Sequence, residues 1–244
     1  VITGSMLGAT VVFTIPVAMG ILREEDRPVM AKGILCGIVT IPLGVLAGGL
    51  TAGFPLSMVL RNLVPIVLIA LLIALGLWRA ENAMVRGFEV FGKLVVAVAT
   101  VGLAAAIGEA LTGYPIIRGM EPISEGFETV GIIAIVLAGA FPLVFVLTKL
   151  LRKPLLAAGG LLGINDAAAA GLLASLANSI AAFGMVKDMN ERGKVVNIAF
   201  AVSGAFVFGD HLGFTAGFAP EMMGAMIVGK LVGGLPAIAA AWIL

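Results

Sequence analysis

Apolar residues run along this chain in long blocks rather than in alternation, and the charges fall between the blocks. A bilayer core takes about 20 apolar residues as helix. On that measure the pattern predicts helical spans at about 1–22, 33–53, 63–78, 94–111 and 129–147, with two more at about 195–217 and 222–244. One stretch does not fit. Residues 155–186 are too long for one span and too short for two, so they predict a re-entrant helical hairpin turning near Gly163-Ile164-Asn165-Asp166. Two true spans are the alternative, but 155–164 is only about half the needed length. Non-helical backbone at membrane depth survives only where protein or a water-filled cavity satisfies it, and broken or re-entrant helices recur at transporter binding sites. The expected fold is all-α and polytopic: about seven transmembrane helices plus the hairpin, in a single domain over residues 1–244.

Positive charge gives these spans a direction. Arg23, Arg27 and Lys32 fall in the first loop, Arg79, Arg86 and Lys93 in the third, and Lys149, Arg152 and Lys153 in the fifth. The second and fourth loops hold only Arg61 and Arg118. By the positive-inside rule, loops 23–32, 79–93 and 148–154 are cytoplasmic. Loop 187–194, with Lys187, Arg192 and Lys194, joins them. Residues 155–186 must then enter and leave on one side, which is what requires a hairpin.

Composition narrows the class further. Of 244 residues, 61% are hydrophobic and 12% charged, against roughly 25% charged in soluble domains. Too few charges remain to coat a water-facing globule, so lipid is the natural solvent. A net charge of +1 excludes the broad positive field of a nucleic-acid binder. The single Cys36 excludes a disulfide framework and a cysteine-rich metal site. No P-loop, metal-ligand cluster or nucleophile–base set is readable, so neither a cofactor nor an enzymatic reaction is expected. The chain opens on Val1 inside an apolar stretch with no charged leader before it. No signal peptide is read there, and an N-terminal part is expected to be missing.

Small residues recur at helical spacing, as in Gly33/Gly37, Gly44/Gly48, Gly209/Gly213/Gly217 and Gly229/Gly233. Ordinary close helix packing accounts for each pair. Pro16, Pro42, Pro65, Pro142 and Pro236 lie inside apolar spans and predict kinks.

An ionisable group inside a membrane costs several kcal/mol and is a functional candidate by default. Three places qualify. The first is Phe208-Gly209-Asp210-His211-Leu212-Gly213-Phe214, where the apolar run before the charges is only about two-thirds of a span. Asn197, Gly204 and His211 fall at intervals of seven and share a face if that helix is continuous. A short helix followed by an exposed loop is the alternative. The second place is Asn165-Asp166 at the expected hairpin turn, where helix capping competes with a ligand role. The third is Asn178-Ser179 on the returning arm, where a bridge between helices is equally in keeping. Glu109, near the end of its span, reads as interfacial.

The same stretches carry a resemblance. Gly4-Ser-Met-Leu-Gly-Ala-Thr-Val-Val-Phe-Thr-Ile-Pro-Val-Ala-Met-Gly-Ile21, Leu173-Ala-Ser-Leu-Ala-Asn-Ser-Ile-Ala-Ala-Phe-Gly-Met185 and Ala199-Phe-Ala-Val-Ser-Gly-Ala-Phe-Val-Phe-Gly-Asp-His-Leu-Gly-Phe-Thr-Ala216 resemble the bacterial ethanolamine-utilisation permease family. Ile227-Val-Gly-Lys-Leu-Val-Gly-Gly234 continues the likeness over essentially the whole chain. Ala181 and Ala182 stand where that family often has a proline and another residue. The resemblance implies uptake of ethanolamine across the inner membrane, upstream of ethanolamine ammonia-lyase and its microcompartment. Ethanolamine carries an ammonium and a hydroxyl. Asp210 is the first candidate for the ammonium and Asp166 the second; Asn178 or Asn197 suits the hydroxyl. Phe206, Phe208, Phe214 and Phe218 would add cation–π contacts worth about 0.5–2 kcal/mol, or act as plain packing. His211 positions Asp210 or relays a proton. Another small amine as solute, a non-transporting sensor or anchor, and a homo-oligomer all stay open at this point.

Overall fold

The structure, a computed structural model, describes residues 1–243, the side chains of Met19, Glu81 and Val85 excepted. Leu244, the last residue of the expected 222–244 span, lies outside the described residues. Among the described residues the chain forms nine α-helices and no strand. They are α1 (Ile15–Ile21), entered through π-helical turns at Gly4–Gly8 and Thr10–Thr14, α2 (Arg27–Thr51), α3 (Leu56–Thr112), α4 (Ile123–Leu162), α5 (Asp166–Ala177), α6 (Ser179–Met185), α7 (Glu191–Ser203), α8 (Asp210–Phe218) and α9 (Met223–Ile243). Among the described residues five stretches are long and apolar enough to cross a membrane: Glu24–Thr51, Leu56–Ala80, Asn82–Thr112, Ile123–Leu162 and Pro220–Ile243. The protein is an all-α, polytopic membrane protein.

α2 lies at the centre, and its glycines explain why. A Cβ on Gly33 would press on Ile198, and one on Gly37 would come within 2.5 Å of Val202. Numbers rise together on the two helices, so α2 and α7 run parallel. Farther along, Gly44 packs on the Gly229 carbonyl and Gly48 on the Ala225 carbonyl, so α9 runs antiparallel to α2. The glycine stripe lets both neighbours approach to backbone contact, the usual means of helix association where lipid removes the hydrophobic drive. Met30, Ile34, Ile38, Ile41, Ile198 and Met226 fill the interior around it. α3 and α4 form the outer flank and present Leu72, Trp78, Leu111, Phe127, Ile135 and Leu161 outward, as lipid-facing helices do.

Three expected features take another form. The loop at 79–93 shrinks to a sharp kink at Ala80 (φ −146°, ψ 50°), with Gly76 and Met84 brought together across it. The loop at 148–154 is helix. α4 runs unbroken for 40 residues through Pro142, Lys149, Arg152, Lys153 and Pro154, because leucine, lysine and arginine are good helix formers and long basic side chains carry their charge outward. At about 1.5 Å per residue such a helix exceeds the ~30 Å hydrocarbon core. Finally, 195–217 is two helices, α7 and α8, separated by the unwound Gly204–Gly209 segment.

The hairpin also differs in detail. Asn165 caps α5 by accepting from the Ala168 amide (3.2 Å), and its side-chain amide donates to the Asp188 carbonyl (2.8 Å). The Asn190 side-chain amide donates to the Gly163 carbonyl (2.8 Å), while its Oδ1 accepts from the Asn165 amide (3.3 Å). The chain entering α5 therefore lies beside the chain leaving α6. A straight run of 20 residues would hold those ends about 30 Å apart, so α5 and α6 fold back on each other. The tip is Asn178. Gly163–Asn165 is instead the turn from α4, and residues 155–162 are the last turns of that helix.

Among the described residues the chain then makes seven passes between two ends. The starts of α2, α5 and α7 share one end with the finish of α6 and α9. Lys194 closes that end, donating to Asp26 at 2.6 Å and to Glu191 at 3.0 Å. The Asp26 carboxylate is buried and Lys194 nearly so, and their hydrogen bond holds the Lys194 ammonium above the usual lysine range.

Candidate functional site

α5 and α7 run side by side from this charged end. Ala168 faces Gly193, and the buried Asn197 side chain donates to the Ala168 and Gly193 carbonyls, both at 2.9 Å. About 18 Å up, after the 12 residues of α5, both helices stop together. α5 ends because Asn178 is extended (φ −156°, ψ 122°); its Oδ1 accepts from the Ile180 amide (2.8 Å) and starts α6. α7 ends at Gly204, and the unwound strand after it turns its amides onto the bare carbonyls of the last turn of α5. The Phe206 amide donates to Ser175 (2.8 Å) and the Phe208 amide to Leu176 (2.9 Å). This requires a left-handed Phe206 (φ 61°), a conformation that costs an L-residue roughly 1 kcal/mol or more. Gly209 follows, pressed so closely on Ala177 that a Cβ would run into its carbonyl. Asp210 then starts α8.

Four helix ends converge here: the carbonyl ends of α5 and α7, and the amide ends of α6 and α8. A helix end leaves backbone groups unpaired and carries about half a charge, negative at the carbonyl end and positive at the amide end. In broken-helix transporters such ends hold ions and polar solutes near the bilayer midplane. At and just past the α7 end three carbonyls are taken. Phe200 accepts from the Gly204 amide (2.7 Å), Val202 from the Thr10 hydroxyl (2.6 Å) and Ala205 from the Lys230 ammonium (2.7 Å). The hydroxyls of Ser175 and Ser179, on either side of the Asn178 break, are buried with no partner, as is Nδ1 of His211.

The expected residues divide between two places. Asn178, Ser179, Phe208, Asp210 and His211 lie at the convergence. Asp210 is exposed in the first turn of α8. The His211 ring lies 4.9 Å from that of Phe206. It lines a cavity of about 310 Å³ with Val1, Gly4, Ser5, Phe214, Thr215 and Phe218. Asn165 and Asp166 are at the other end of α5, at the base of the hairpin. Asn165 is committed to its cap and ties. Asp166 faces a separate cavity of about 380 Å³ with Arg152, Thr148 and Leu155. Asn197 is not part of the convergence either: with the backbone unwound from Gly204, the shared face with His211 does not exist, and Asn197 braces α5 against α7. Of the phenylalanines, Phe206 is buried against His211 and Phe13, while Phe214 and Phe218 stack on each other at 5.6 Å and stay exposed.

Sequence reasoning passed over Thr10 and Lys230. Lys230 carries a usable signal, a lone charge in an apolar span, by the rule that singles out Asp210. Thr10 carries none, since its contact with Val202 joins residues far apart in the chain. Among the described residues no group of three histidine, cysteine or acidic side chains is placed to hold a metal.

A family model described as "Ethanolamine utilisation protein, EutH" matches residues 1–244. A Listeria monocytogenes protein named probable ethanolamine permease EutH is 61% identical over 238 residues, which is 98% of this chain and 64% of that protein. A Bacillus subtilis protein named uncharacterized protein YxeR is 53% identical over 241 residues, 99% of this chain and 65% of its own length. A Salmonella typhimurium protein named probable ethanolamine permease EutH is 47% identical over 266 aligned positions, covering 100% of this chain and 65% of that protein. The chain thus spans just under two thirds of the length of the curated relatives it matches. No solved structure matches it.

Proposed function

This chain belongs to the EutH family of ethanolamine utilisation proteins, and from that premise we propose that it carries ethanolamine across the bacterial inner membrane for use in ethanolamine catabolism. The convergence of four helix ends beside Asp210 is the observation that supports this reading. Near neutral pH ethanolamine is a small ammonium with one hydroxyl, so its site needs negative potential at one point and hydrogen-bonding groups about two carbons away. The carbonyl end of α5 and the Asp210 carboxylate answer the ammonium. Asn178, the unpartnered Ser179 hydroxyl and His211 answer the hydroxyl. α5–α6 acts as a re-entrant hairpin entering from the cytoplasmic side, where loops 23–32 and 187–194 lie. Asp166 and Asn165 belong to its base.

Uptake of labelled ethanolamine by the full-length protein tests the proposal. Asp210→Asn is expected to abolish uptake while the protein still inserts in the membrane; undiminished uptake would remove Asp210 from the site. The buried, unpaired serine hydroxyls favour a hydroxylated solute over a plain amine. Ethylamine should therefore compete about tenfold more weakly than unlabelled ethanolamine, the worth of about one hydrogen bond.

A further inference from the structure

Among the described residues, Lys230 is the one charged side chain buried to about 1% exposure or less. It sits in the middle of α9, between Gly229 and Gly233, which bring that helix against α2. A lysine at such depth is costly and persists only with a partner. Its partner is a backbone oxygen: Nζ donates to the Ala205 carbonyl at 2.7 Å, and no described carboxylate lies within 4.0 Å of it. Ala205 belongs to the unwound segment just past the carbonyl end of α7. The ammonium therefore rests at the negative end of a half-helix, against a carbonyl freed by unwinding. Unwound carbonyls and half-helix carbonyl ends are where broken-helix transporters bind a free sodium ion or a proton. An ammonium is a cation of similar size and preference for carbonyl oxygen.

We propose that Lys230 is a tethered resident cation: its ammonium holds, at the carbonyl end of α7, the place an alkali cation would otherwise occupy, so that the convergence is complete without sodium or potassium. Polarity at the site then follows. The α7 end is met by a group tethered to the protein, and the α5 end, with Asp210, is left for a cation that comes and goes. This division of labour rests on the transport reading given above, whereas the occupancy of the α7 end does not.

The test uses purified full-length protein, melted in tetramethylammonium, sodium and potassium chloride at equal ionic strength. Wild type should melt at the same temperature in all three, since its cation is built in. Lys230→Ala should melt lower in tetramethylammonium and regain about 5 °C or more in sodium or potassium, as a ligand binding only the folded state would restore. Selective stabilisation of wild type by either alkali cation overturns the proposal. So does a Lys230→Ala protein that neither salt restores, including one that cannot be recovered folded from membranes in either. Uptake adds an independent arm. Replacing sodium and potassium by tetramethylammonium, which has no hydroxyl, should leave wild-type ethanolamine uptake unchanged, and loss of uptake in tetramethylammonium counts against a resident cation. If wild type moves no ethanolamine in any salt, the transport reading fails, while the melting comparison still decides the role of Lys230.

Discussion

At Gly209 a single methyl group separates two outcomes. A Cβ there meets the Ala177 carbonyl, and both parties are backbone, so neither can rotate away. Gly209→Ala should therefore lower thermal stability by about 3 kcal/mol or more and abolish uptake; a variant that melts within a degree of wild type would mean that the two strands are not in contact. Lys194 makes a different kind of statement. Its folded-state pKa is raised by Asp26, so the bond contributes fully from neutrality up to the ordinary lysine value and is lost as pH climbs through the raised one. Lys194→Met should cost about 1.5–3 kcal/mol near neutrality, and the gap from wild type should close in alkaline melts above about pH 10.4. A gap that widened instead would reverse the sign of the linkage. How legible these residues are follows from range. Asp210 and His211 stand out because charge in an apolar run is visible locally. Ala205 and Lys230 are 25 residues apart, and nothing local tells either about the other.

Elements were legible where hydropathy alone decides them, as in α2, the two halves of α3, and α9. They were less so where geometry overrides it. The basic cluster at 149–153 looks like a loop by charge, yet its residues favour helix and α4 passes through. The hairpin is called for by charge arithmetic, but its tip is set by one extended residue, Asn178, and by asparagine caps that can be recognised only as pairs. Asn165 and Asn178 consequently part company. Asn165→Ala removes a cap and a tie at the base and should cost about 1 kcal/mol of stability with the KM for ethanolamine unchanged. Asn178→Ala should raise that KM several-fold. If the two variants change KM alike, the site extends to the base of the hairpin. Along α2 the glycine stripe makes the same argument for packing: Gly37→Leu would drive a side chain into Val202, and folded protein should not be recovered.

On the scale of the whole molecule, sidedness is the property that sequence and structure approach from different directions. Loop charge predicts a cytoplasmic side; the Asp26–Lys194 contact independently brings loops 23–32 and 187–194 to one end. Cys36 is buried, so it gives a quiet background for labelling. Cysteines placed at Glu25 and Lys187 should react with an impermeant reagent only from the cytoplasm, and cysteines at Glu121 and Glu221 only from outside. Labelling of Glu25 and Lys187 positions from opposite sides would undo the seven-pass arrangement.

The base of the hairpin has a mechanical consequence. Asn165 and Asn190 fasten its two feet to each other, while one residue, Asn178, makes the bend at its head. A loop that short has no slack, so the pair of helices can only pivot as a stiff lever. With an arm of about 18 Å, a tilt of about 10° at the asparagine fulcrum carries Asn178 roughly 3 Å, about one hydrogen-bond length. That is enough to detach the head from the Phe206 and Phe208 amides, and the unlatching needs no change in either helix.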